Sequence, residues 1–203
     1  ALEQAFGISK VVIAPMVNED LDPTKAIASV AGQFISDYVQ SDMKIGVGWG
    51  RTLYSSLPHI QGKEFDKVRV ISLLGGISRA KRFNPAEFAW QFAELFKGEG
   101  YLVPAPAIVD SAETKHALLE RCGINQIFEL ADNLDVALLS AGGIEGITTS
   151  YRLGHVNEAD RQSLISAGAV GDLLYNFISE DGELVKHNVN TRGISVGIDR
   201  LKN

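Results

Sequence analysis

The chain has 203 residues, enough for one sizeable core and short of two equal domains. Apolar residues make up 45% and charged residues 22%, the balance of an ordinary globular protein. With 19 Lys and Arg against 25 Asp and Glu the net charge is -6, which disfavours direct binding to a polyanion such as DNA. In chain order, "ALEQAF" (residues 1–6) reads as a helix remnant, and "KVVIAP" (10–15) as a strand closed by proline. Neither a charged-then-apolar leader nor a run of 18 apolar residues occurs, so membrane and secretion are not expected and the expected setting is cytoplasmic. Asp22 caps a helix with Pro23 at its first position, and Ile27, Val30, Ala31, Phe34, Ile35 and Tyr38 form its apolar stripe.

The second strand ends at Val47 and runs into "GWGRT", after which Leu53, Leu57 and Ile60 recur at helical spacing. "VRVISLL" (68–74) is a third, buried strand ending in "GGISRAKRF", and Asn84-Pro85 opens a helix carrying Phe88, Phe92, Leu95 and Phe96 on one face. "YLVPAP" (101–106) is the next strand, and Ser111 caps a helix ending at Gly123, beside which Cys122 is expected as a buried thiol. "DVALLSAGG" (135–143) is a fifth strand, and Asn157 caps a helix through Ala167. Two extended runs around Asp181-Gly182 signal a hairpin, and residues 192–199 supply a last strand. Strands and helices that alternate in this way predict an α/β fold, a mostly parallel sheet with helices on both faces and a late hairpin.

Three strands thus end in small or glycine-rich loops, and in such sheets ligands bind beyond the carboxyl ends of the strands. Gly46, Gly48 and Gly50 lower the cost of turning backbone N–H groups one way at a helix N-terminus, while Arg51 and Thr52 add a cation and a hydroxyl. Gly75-Gly76 and Gly142-Gly143 allow close backbone approach, and Arg79, Lys81 and Arg82 make the region cationic. An anion is the expected guest, a phosphate before a carboxylate. Glu145 reads equally as an acceptor for sugar hydroxyls and as an exposed loop carboxylate; Asp172, Lys186 and Arg192 are further polar candidates, with local capping an equal reading for Asp172 and a solvated strand lysine the commoner one for Lys186. No Gly-Lys-Ser/Thr ending follows the first loop, and no acidic residue closes a following strand, so neither a P-loop nor a dinucleotide fingerprint is present. His59, His116, His155 and His187 are scattered, and no metal site is expected.

The segments "IGVGWGRTL", "ISLLGGISRAKRFNPAEFA", "YLVPAPAIVDS", "DVALLSAGGI", "GAVGDLLYNFISEDGELV" and "RGISVGI" resemble, in order, the effector-binding domain of SorC-type bacterial transcriptional regulators. The resemblance implies a Rossmann-like sheet related to the sugar-phosphate isomerase, deaminase and coenzyme A transferase group. It implies a sugar or phosphosugar effector, no cofactor, a homo-oligomer (dimer or tetramer), and operator DNA contacted through a separate N-terminal helix-turn-helix module. Residues 1–203 would form the effector-binding domain, with 1–6 the tail of the connection to that module. Carried onto this sequence, the phosphate turn falls on Gly48, Trp49, Gly50, Arg51 and Thr52, and the next loop on Gly75, Gly76 and Asn84. Gly143 and Glu145 follow the later glycine strand end, and the late basic position falls on or near Lys186. Trp49 and Arg51 replace hydroxyl residues of phosphosugar-binding members, which leaves phosphorylation of the effector open. An isomerase or deaminase on the same scaffold is the alternative, and it needs an acid/base partner for Glu145 that the sequence does not offer.

Overall fold

The computed structural model describes residues 1–16, 22–76, 84–145 and 156–201. β1 (Lys44–Val47), β2 (Arg69–Ser72), β3 (Glu99–Tyr101) and β4 (Val136–Leu138) form one sheet in the order β3-β2-β1-β4. Every pairing is parallel, so the carboxyl ends Val47, Ser72, Tyr101 and Leu138 share one edge. The chain steps outward from β1 to β3 and then returns to the far side of β1 for β4. The β1–β4 boundary is therefore the topological switch point of the sheet.

Side-chain alternation in β1 sorts the two faces. Ile45 and Val47 pack into a cluster with α2 (Thr24–Tyr38), α3 (Arg51–Ser56) and α4 (Pro85–Leu95). On the opposite face, a Cβ added to Gly46 would lie 2.5 Å from Leu134 Cδ1, and one on Gly48 would lie 2.9 Å from Leu174 Cδ2. Those leucines belong to a second cluster that includes residues of α5 (Ala112–Arg121), α6 (Ile124–Glu129) and α7 (Glu158–Ser166). The sheet is thus covered on both faces, as its near-continuous apolar strands require. A separate antiparallel sheet, β5 (Ala141–Gly143), β6 (Gly171–Leu173) and β7 (Asn176–Ile178), adds to the second cluster.

Three of the four expected helix caps hold, whereas α2 begins at Thr24 with Pro23 at the cap position and Asp22 one residue before it. Asn84 accepts from the Ala86 N–H, Ser111 from the Thr114 N–H and Asn157 from the Asp160 N–H. Asp22 accepts from the Thr24 N–H at 2.9 Å and the Thr24 hydroxyl at 2.6 Å, bonds that hold its carboxyl below the usual carboxylate range. No described helix is long and apolar enough to cross a membrane. α1 (Leu2–Phe6) contains no buried residue.

Several strand readings need correction. Residues 10–15 join neither sheet: Val12 and Ile13 are exposed, and the Lys10 ammonium rests over the Phe34 ring at 5.2 Å. A β-branched run favours extended backbone, but a strand also needs a partner for its donors and acceptors. The run 135–143 is two strands in two sheets, and the expected strand over 101–106 pairs at residues 99–101 instead. Residues 192–199 form isolated bridges, Ile108 to Gly193 and Leu74 to Ser195, before a 3-10 turn over Ile198–Leu201. Around Asp181-Gly182 one bridge joins Ile178 to Leu184, while the tight hairpin turns one strand earlier, between β6 and β7.

Cys122 is exposed rather than buried, because α5 ends with its last turn on the surface. A thiol reagent is expected to label Cys122 in the folded protein without denaturant; protection until unfolding would contradict this placement.

Candidate functional site

The loop after β1 combines packing with an open helix end. The Gly48 N–H donates to the Leu138 carbonyl at 2.9 Å, which ties the loop to β4 across the switch point. Gly48 therefore supplies clearance for Leu174, and its donor is used within the sheet. Trp49 is in the core, 7% exposed, with its indole stacked on Tyr175 at 5.0 Å between ring centroids. Gly50 caps α3 with φ +140°, a backbone conformation that a Cβ would strain, and an added Cβ would meet the Ser140 side chain at 3.1 Å. Beyond it lie Arg51, exposed, and Thr52, half-buried, in the first turn of α3. The first N–H groups of a helix have no partner within it, so this turn directs donors and a guanidinium outward from the sheet edge. Arg51 lies 3.5 Å from Asp22, both side chains being more than half exposed.

The second glycine loop works differently. The Gly75 N–H donates to the Ile194 carbonyl at 2.8 Å and the Gly76 N–H to the Ala105 carbonyl at 2.7 Å. A Cβ on Gly75 would stand 2.5 Å from the Pro106 carbonyl oxygen. Close packing therefore accounts for Gly75, and the N–H groups of both glycines are used within the protein. Asn84 is brought beside Gly76, its Oδ1 3.3 Å from the Cβ position of that glycine, and the same oxygen caps α4. Arg79, Lys81 and Arg82 lie outside the described residues.

Among the later candidates, Gly143 sits on β5 opposite Gly171, and Glu145 is exposed just beyond buried Ile144. Lys186 is exposed and lines a separate cavity of about 500 Å³ with residues 184–188, 190 and 191, none of which is at a strand end of the parallel sheet. Asp172, 7% exposed on β6, accepts the Tyr175 N–H at 3.1 Å, the local capping role that the sequence left open. Among the described residues no group of three or more His, Cys, Asp or Glu could hold a metal ion.

With this geometry in place, a family model described as "Putative sugar-binding domain" matches residues 1–203. The chain belongs to that sugar-binding domain family. A deoxyribonucleoside regulator from Bacillus subtilis is 28% identical over 204 residues, which cover 99% of this chain and 64% of that protein. The sugar-binding domain superposes on a DeoR family transcriptional regulator from Listeria monocytogenes with a TM-score of 0.91 at 23% identity, covering 100% of this chain and 80% of the other. The full-length sorbitol operon regulator SorC from Klebsiella pneumoniae gives 0.89 at 22% identity, covering 99% and 65%. At these identities the structures establish a shared fold. The resemblance to SorC-type regulators read from the sequence thus agrees with the family match and with the curated relatives, which are regulators.

Two parts of this sugar-binding domain's strand-end region escaped the sequence reading. Ser140 faces Gly50 across the switch point, and its signal was a small polar residue directly after an apolar run. The segment around Ser195 crosses the end of β2, held by the Val196 N–H to the Leu73 carbonyl and by the Asn176 amide to Ser195 Oγ. No local pattern announces that crossing.

The approach to Glu145 is fixed from α7. The Arg161 guanidinium donates to the Ile144 carbonyl at 3.2 Å and to both oxygens of Glu158 at 3.0 and 2.8 Å. Arg161 first, and then the Gln162 amide, hold the Glu158 carboxyl down at about 2. A depressed carboxyl contributes stability that is present above its unfolded value and lost as pH falls through the folded one. NMR titration of Glu158 is expected to show a midpoint near 2 that climbs toward 4.5 in Arg161→Ala; an ordinary midpoint in the unmodified chain would refute the anchoring.

Proposed function

We propose that this sugar-binding domain senses a sugar or phosphosugar for a transcriptional regulator of carbohydrate metabolism. The carrying observation is the family match over the whole chain, and the switch-point geometry supports it. The effector lies across the carboxyl ends of β1 and β4, with Gly50, Arg51 and Thr52 toward its most acidic group. Gly75, Gly76 and Asn84 shape the adjoining wall, and Gly143 and Glu145 serve its hydroxyls. Lys186, on its separate face, stands outside this set.

The chain spans 64% of the length of the Bacillus subtilis relative. Operator contact is assigned to a helix-turn-helix module distinct from this domain, in keeping with the net charge of -6. The regulator works in the cytoplasm as a homo-oligomer, a dimer or tetramer matching symmetric operators. The effector acts by differential affinity for two assembly states, of order 1–3 kcal/mol of coupling, and the reading asks for no cofactor.

The proposal is binding without turnover. A thermal-shift screen over sugar phosphates and free sugars is expected to find a ligand that stabilises the domain by about 2.7 kcal/mol at 100 times its dissociation constant. Isomerised or deaminated product from that ligand, detected by NMR, would overturn the sensor reading in favour of an enzyme.

A further inference from the structure

The loop after β1 is seated by a turn that lies far from it in sequence. Leu174 and Tyr175, the two residues between β6 and β7, both have positive φ, +54° and +60°. Hairpins of this kind usually place Asn or Gly at such positions, because a Cβ disfavours the left-handed region. Here side-chain packing and polar contacts hold the turn in place. Leu174 is 2% exposed and Tyr175 1% exposed; Asp172 accepts the Tyr175 N–H, and the Asn176 amide donates to the Leu173 and Leu174 carbonyls at 3.0 and 3.3 Å.

The turn then presses on the loop at two points. The Tyr175 ring stacks on Trp49, with 20° between the planes, and Leu174 occupies the space that a Gly48 side chain would fill. Gly48 and Trp49 directly precede Gly50, whose φ of +140° sets where the first turn of α3 points. Trp49 is thus the link between the antiparallel sheet and the donors of residues 50–52.

We propose that Tyr175 is a positioning residue for the effector loop, acting through the Trp49 stack, and that Asp172 contributes by holding the Leu174–Tyr175 turn. This rests on the proposed effector site at residues 50–52. Tyr175 aligns the loop before a ligand arrives, so its removal costs affinity through lost preorganisation. The contact with Trp49 is made by the ring, which a phenylalanine retains.

The test uses inorganic phosphate as the probe, in a Trp90→Phe background so that emission reports Trp49 alone. Tyr175→Phe is expected to keep a buried Trp49 emission and to bind phosphate within about twofold of the parent. Tyr175→Leu, shown to be folded by circular dichroism, is expected to shift Trp49 emission to the red and to weaken phosphate binding by about tenfold or more. Should Tyr175→Leu not fold, the pair Asp172→Asn and Asp172→Ala replaces it, the amide retaining an acceptor for the Tyr175 N–H and the alanine losing it. The asparagine is then expected to behave as the parent and the alanine as Tyr175→Leu. Undiminished binding in folded Tyr175→Leu or Asp172→Ala overturns the proposal, as does equal loss in Tyr175→Phe. A parent that fails to bind phosphate counts against the effector site itself; unchanged Trp49 emission in Tyr175→Leu or Asp172→Ala then counts against the positioning role separately.

Discussion

Phe92→Ala is expected to cost about 3–5 kcal/mol of stability, the range for emptying an aromatic site in a packed core. Phe92 is 0% exposed on the inner face of α4, with the Phe96 ring at 5.3 Å and the Phe88 ring at 5.9 Å, both tilted against it. Tilted pairs at these separations gain from ring edges meeting ring faces, so the loss exceeds that of apolar area alone. Domains of this size hold about 5–15 kcal/mol in all, which leaves the variant near its folding threshold. The effect reaches the candidate site because α4 begins at the Asn84 cap, beside Gly76. Denaturant unfolding measures it directly. A loss below about 1 kcal/mol, the scale of an ordinary surface change, would show that α4 is not anchored through this face.

The readable parts of the fold were those whose causes are local. Asn84, Ser111 and Asn157 announced helix starts because the capping oxygen and the N–H groups it accepts lie within three residues of each other. The sheet followed from apolar runs alternating with these helices, and the switch-point loop from the break after Val47. Side-chain direction within that loop was not legible. Gly46 and Gly48 look like backbone donors until Leu134 and Leu174, each more than eighty residues away, are found against them. Trp49 looks like part of a phosphate turn until its stack on Tyr175 places it in the core. Asp181-Gly182 is the stronger turn signal, but the tight hairpin forms at Leu174–Tyr175, where burial and Asp172 override local preference at a cost of about 1–3 kcal/mol for each left-handed residue. Residues 10–15 show the converse, a strand-like pattern outside either sheet.

Arg51→Glu is expected to weaken binding of a sugar phosphate by about 10- to 100-fold, since hydrogen bonds to charged groups are worth about 1.5–3 kcal/mol and the new carboxylate repels the phosphate. The substitution is preferable to a change at Gly50, where φ of +140° and the nearby Ser140 side chain would mix lost binding with backbone strain. Arg51 is more than half exposed, and its neighbour Asp22 is held chiefly by the Thr24 hydroxyl and N–H, with the guanidinium a smaller influence. The folded state therefore loses little when Arg51 is replaced. Titrating a sugar phosphate and the corresponding free sugar into both proteins separates the possible outcomes. Loss confined to the phosphorylated ligand places the phosphate at the first turn of α3. Equal loss for both means that the loop itself has moved, and unchanged binding of both removes Arg51 from the site. The first outcome is expected, because Arg51 is the cation that the first turn of α3 presents at the β1 end of the switch point, beside helix N–H groups that already favour an anion.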